Sequence, residues 1–185
     1  MTDAERTRQD AALEEAGQLF LRFGYRKTSM EDIARAAGVS RQALYLWFPN
    51  KEALFCAVVD RLLSTLDEGV RAALHQEGPL GERLLFAFTA YTGMFVEMSA
   101  SASRLEELLE ASERLLGERV ASFERAFERQ IAHALEDAGR ADPVERAYAL
   151  VQASYGLKHK AGSVAAYQEG MRRVIAVVCG QAGGR

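Results

Sequence analysis

An arginine and a glutamine stand side by side at positions 41 and 42, directly after a serine, and a tyrosine follows at position 45. A guanidinium pairs in a fork with N7 and O6 of guanine, and a carboxamide pairs with N6 and N7 of adenine. The phenol of Tyr45, four residues after Arg41, shares its helical face and can touch a base edge or thymine methyl, or donate to a phosphate. Arg41, Gln42 and Tyr45 are therefore the candidates for reading bases in the major groove of duplex DNA. Leu44 and Phe48, also four apart, point the other way and are expected in the core.

A second set of side chains suits the phosphate backbone. Thr28 and Ser29 open a short helix, where free N–H groups and hydroxyls can hold an anion. Lys51 follows Asn50 at a helix start, an end that disfavours a cation unless an anion lies nearby, and a DNA phosphate would supply one. The indole N–H of Trp47 is a further donor. The chain carries a net charge of −3, yet between Arg22 and Lys51 six basic residues face only Glu31 and Asp32. A polyanion is expected to dock on that segment.

These residues must be positioned by helices. Leu13, Ala16, Phe20 and Phe23 recur at helical spacing, and Gly24 stops that helix. Thr28 with Glu31, or Ser29 with Asp32, caps a second helix carrying Met30, Ile33, Ala34 and Ala37. Gly38 makes the turn, Ser40 caps a third helix to about Phe48, and Pro49 ends it. Asn50 caps a fourth, with Leu54, Phe55, Val58, Val59, Leu62 and Leu66 on its buried side. Two short helices around a glycine turn make a helix-turn-helix, whose second helix enters the major groove.

The stretch "GYRKTSMEDIARAAGVSRQALYLWFPNKEALF" resembles the N-terminal DNA-binding domain of the TetR family of bacterial transcription regulators. The likeness runs from about Arg8 to Leu66. It implies that Arg41 and Gln42 occupy base-reading positions, that Thr28, Ser29 and Lys51 hold the phosphate backbone, and that Tyr45 holds phosphate or touches a base. Where many relatives have Gly-Thr this chain has Gln42 and Ala43, so one hydroxyl contact to the backbone is missing.

The resemblance also implies that the remainder binds an effector and forms the dimer. Chain 7–67 is expected as the DNA-binding domain, with the helix-turn-helix at about 29–48, and 79–180 as the effector and dimerisation domain. The break is placed at "HQEGPLGER", where Gly78 and Pro79 interrupt the pattern. Helices are expected at about Leu80–Met98, Ser101–Leu109, Ser112–Ala138, Asp142–His159 and Ser163–Gly180, giving an all-α fold of about nine helices. Asp142, Pro143 and Glu145 have the makings of a capped helix start.

The last two helices are apolar on more than one side, which suggests a four-helix interface between two copies through Leu150, Val151, Met171, Val174, Ile175 and Val178. Tyr91, Phe95, Phe123, Tyr148 and Tyr155 are the candidate pocket residues, because a buried phenol needs a partner that a ligand could supply. No pair of cations is evident toward that region, so an apolar or aromatic small-molecule effector is expected.

The full chain of 185 residues has 49% hydrophobic and 26% charged residues and three prolines, as suits a helical globular protein. The first residues, "MTDAERTRQDAA", lack the apolar stretch of a signal peptide, and "VIAVVC" is too short to span a bilayer, so a cytoplasmic protein without membrane contact is expected. Cys56 and Cys179 show no CxxC spacing, and His75, His133 and His159 show none of the metal-binding spacings. No catalytic set, metal or cofactor is expected; a repressor that holds a palindromic operator as a homodimer and is released by its effector is expected, with an activator or an effector-independent regulator as the alternative and a helical enzyme well behind.

Overall fold

The computed structural model describes residues 3–98 and 102–180. Eight helices run through them: α1 (Asp3–Phe23), α2 (Met30–Ala36), α3 (Arg41–Trp47), α4 (Lys51–Leu74), α5 (Leu80–Met98), α6 (Ala102–Asp137), α7 (Pro143–Lys160) and α8 (Val164–Cys179). The all-α expectation holds for the described residues, with eight helices in place of nine. The two helices expected on either side of Glu110 are one. Ser112, read as a helix start, donates its hydroxyl to the carbonyl of Leu108 at 2.8 Å, as a serine inside a helix does. Ser101 lies outside the described residues. The fourth helix also continues past Leu66 to Leu74, since no proline interrupts it.

The chain divides into two compact units, residues 1–63 with 101–120, and residues 64–100 with 121–185. The division differs from a break at Gly78 and Pro79, which mark only the end of a helix. Leu108, Ala111 and Leu116 of α6 are buried in the same cluster as Phe20, Ile33, Leu44 and Leu54, which places the first part of α6 in the first unit.

In the first unit Phe20, Tyr25 and Phe55 meet at ring centroid distances of 5.2 Å (Phe20–Phe55) and 4.9 Å (Tyr25–Phe55). Gly24 ends α1 at φ +87°, with its N–H bonded to the carbonyl of Phe20 at 2.8 Å. That left-handed turn is open to glycine at no steric cost. Phe23, expected on the buried face, is exposed. The turn that follows is tied to α6, for the N–H of Arg26 donates to the Glu107 carboxylate at 2.6 Å.

The second unit is built on Phe88, Phe127, Ile131, Leu135, Leu150 and Met171, all buried. One polar chain crosses it: the Tyr167 hydroxyl and Ser154 Oγ lie 2.7 Å apart, and Ser154 Oγ and Thr92 Oγ1 3.3 Å apart. Pro143 opens α7 as expected, but Asp142 makes no side-chain cap bond, because its backbone is left-handed at φ 50°. Among the described residues no helix is long and apolar enough to cross a membrane.

Candidate nucleic-acid interface

Local chemistry fixes the two short helices. Ser29 caps α2: its Oγ accepts the N–H of Asp32, while the Asp32 carboxylate accepts from the backbone and hydroxyl of Ser29. These bonds hold the Asp32 carboxyl below the usual carboxylate range. Gly38 turns the chain at φ +65°, a region that a side chain strains. Ser40 then caps α3, its Oγ accepting the N–H of Ala43 at 3.1 Å, and Asn50 caps α4 through the N–H of Ala53 at 2.8 Å.

α3 is anchored from one side only. Leu44 is fully buried and Phe48 nearly so, and Trp47 packs half-buried against the same core. The other side faces solvent with Arg41, Gln42 and Tyr45. Arg41 lies 5.5 Å from the centre of the Tyr45 ring and 4.0 Å from the Glu31 carboxylate. An ion pair between such exposed groups is weak and yields readily to a stronger anion. One residue of this face went unread in the sequence: Leu46, which is 79% exposed. Its spacing of four from Gln42 is the same signal that joins Arg41 to Tyr45.

Two of the four phosphate candidates are placed otherwise. Thr28 is buried, and its hydroxyl donates to the carbonyls of Gly24 at 2.8 Å and Leu19 at 3.3 Å, so that hydroxyl stitches the turn after α1. Lys51 Nζ donates to the carbonyls of Tyr25 at 3.0 Å, Thr28 at 3.2 Å and Arg26 at 3.4 Å. The counter-charge that its helix-start position demands comes from these carbonyl dipoles and the Tyr25 ring. Ser29 stays on the surface and Trp47 at its edge. Arg26 and Lys27 are exposed, whereas Arg35 pairs with Asp32 and Glu31.

In the second unit four of the five pocket candidates gather around two contacts. Tyr91 stacks on Phe123 at 5.5 Å and on Phe127 at 3.9 Å, and the Tyr155 phenol stands near its hydroxyl. Lys158 Nζ lies 5.4 Å from the centre of Phe95 and 5.3 Å from that of Tyr155. Burial pushes both phenols up and the ammonium down, with Glu124 opposing the fall at Lys158. A cation against this cluster is new relative to the sequence reading. Tyr148 does not join it, being 56% exposed on α7.

The interface candidates divide likewise. Leu150, Val151, Met171 and Ile175 are buried inside one chain's own core, and so cannot meet a partner. Both apolar sides of α7 and α8 are used within the subunit, because these helices pack on each other and on α5. Val174 and Val178 are half-buried against the same core, and Val144, Tyr148 and Val177 face outward.

The family profile described as "Bacterial regulatory proteins, tetR family" matches residues 12–58, which hold α2, α3 and the caps described above. The HTH-type transcriptional repressor ComR of Escherichia coli (strain K12) is 36% identical over 95 residues, 51% of this chain and 45% of that protein. The chain spans under half the length of the first curated relatives it matches. In fold it is similar to a TetR-like transcriptional regulator from Rhodococcus sp. RHA1, at TM-score 0.69 and 24% identity, covering 94% of this chain and 97% of that one. It is also similar to SmeT in its complex with triclosan, at TM-score 0.66 and 21% identity, covering 97% of this chain and 98% of that one. Residues 12–58 thus match the tetR family of bacterial regulatory proteins, and the fold around them is similar to that of a TetR-like regulator.

Proposed function

We propose that the chain is a cytoplasmic, sequence-specific DNA-binding transcription regulator, a repressor that holds a palindromic operator as a homodimer and leaves it when a small molecule binds. The observation that carries the reading is α3. A helix of seven residues rooted by Leu44 turns Arg41, Gln42 and Tyr45 to solvent, a set that suits base edges and serves no core. The relative ComR is named a repressor, while another relative, FasR of Mycolicibacterium smegmatis, is named an activator.

For the partner copy, the outward residues Val144 and Tyr148 of α7 and Val177 of α8 suit a symmetric apolar contact better than the buried set that the sequence suggested. For the effector, the Tyr91–Phe123–Tyr155 cluster suits an aromatic or apolar molecule, and SmeT, a protein of the same fold, has been solved with triclosan. Release requires that the effector bind the conformation unable to hold DNA more tightly than the one that can.

Selection of randomised duplex DNA by the full chain at two salt concentrations tests the reading. Enrichment of a palindrome with half-sites about one helical turn apart, or a multiple of it, is the expected result. Weak retention that merely falls with salt, with no sequence enriched, would overturn it.

A further inference from the structure

We propose that Leu46 determines specificity by seating on the 5-methyl group of a thymine in each half-site. The inference rests on the reading of α3 as the helix that enters the major groove. Leu46 is 79% exposed on a helix whose other apolar side chains, Leu44 and Trp47, are packed against the core. A single exposed leucine is ordinary on a protein surface. This one stands one turn after Gln42 and next to Tyr45, on the short helix that turns Arg41, Gln42 and Tyr45 to solvent.

The occupant follows from chemistry. A side chain of carbon and hydrogen can neither accept from nor donate to a phosphate, and laid on a polar base edge it strips that edge of water without replacing the lost bonds. The one apolar group that the major groove presents is the methyl of thymine. Charge argues against a protein partner on the same spot: Arg41 is exposed on the same short helix, and Arg26 and Lys27 are exposed in the same basic segment, which suits a polyanion. Leu46 would therefore read a position that hydrogen bonds leave unread, beside those assigned to Arg41 and Gln42.

The test removes the methyl and nothing else. In the operator recovered by selection, each thymine is replaced in turn, symmetrically in both half-sites, by deoxyuridine, and the full chain is titrated as wild type and as Leu46→Ala. Burying one methyl is worth about a fourfold change in affinity per half-site. The expected result is one thymine per half-site whose symmetric replacement weakens the wild type by about that factor in each half-site, about sixteenfold for the dimer, and to which Leu46→Ala, weaker on the thymine operator, is indifferent. The exposure of Leu46 leaves the helix content of the variant unchanged, as circular dichroism would record. An operator without such a thymine, a wild type indifferent to every replacement, or a Leu46→Ala protein that keeps the full penalty would each overturn the proposal, the last by assigning the methyl to Tyr45. All three leave DNA binding itself intact, whereas failure of the selection would remove the reading on which the proposal rests.

Discussion

The ammonium of Lys51 lies 3.0 Å from the carbonyl oxygen of Tyr25 and 4.5 Å from the centre of the same residue's ring. It thus closes the turn between α1 and α2 onto the start of α4, with further bonds to Thr28 and Arg26. Lys51→Met should lower the unfolding free energy by about 1.5–3 kcal/mol, the range for hydrogen bonds to a charged group. The slope of operator affinity against salt should stay that of the wild type. A slope reduced by about one would instead show that the ammonium leaves the carbonyls for a phosphate when DNA binds.

Among the described residues Arg41 is held by the Tyr45 ring and a distant Glu31, both on exposed ground. Arg41→Ala should therefore leave thermal stability nearly unchanged. In a selection experiment it should relax the preference at one base pair per half-site, a loss of about 1–3 kcal/mol of discrimination there. A uniform loss at all positions would mark Arg41 as a phosphate contact.

The local order of the first unit was legible because it is written in short-range chemistry. Ser29 with Asp32, Gly38, Ser40 and Asn50 act within four residues of themselves, and the structure uses each as its type suggests. The roles of Thr28 and Lys51 were not legible, since their partners lie at Leu19, Gly24 and Tyr25, on a turn whose path no local pattern fixes. Distance also explains the second unit. Apolar residues on two sides of α7 and α8 are compatible with a partner subunit or with α5, and only the packed chain distinguishes the two. Lys158 drew no notice because a lysine reads as solvated until the rings of Phe95 and Tyr155 are seen beside it.

The buried hydroxyls of Tyr167 and Ser154 should be energetically coupled. The two oxygens are 2.7 Å apart, with Thr92 Oγ1 3.3 Å beyond. Tyr167→Phe leaves Ser154 with Thr92 alone, and Ser154→Ala leaves the phenol with the longer bond to the Phe88 carbonyl at 3.4 Å, so each single variant should lose about 1–3 kcal/mol. The double variant should lose less than the sum, because one change already breaks the bond that the other would break. Denaturant titration of the four proteins measures this, and strict additivity would mean that the two oxygens do not interact.

Ser29 and Asp32 give the fold a dependence on acid whose sign is fixed by the direction of the shift. The Ser29 hydroxyl and N–H bond the Asp32 carboxylate and hold its pKa below the ordinary 3.8. A carboxyl depressed in the folded state contributes stability that is complete above the unfolded value and is lost as pH falls through the lower folded one. Ser29→Ala removes the hydroxyl donor, the larger cause of the shift, and leaves the N–H, so Asp32 should titrate closer to 3.8 in that variant when followed by NMR. The stability gap between wild type and Ser29→Ala, measured by denaturant titration from neutral pH downward, should be widest at neutral pH and narrow below that value. Part of the gap persists in acid, since the Ser29 oxygen also accepts the Asp32 N–H whatever the carboxyl charge. Identical Asp32 titration in the two proteins would show that the cap does not act through the carboxylate.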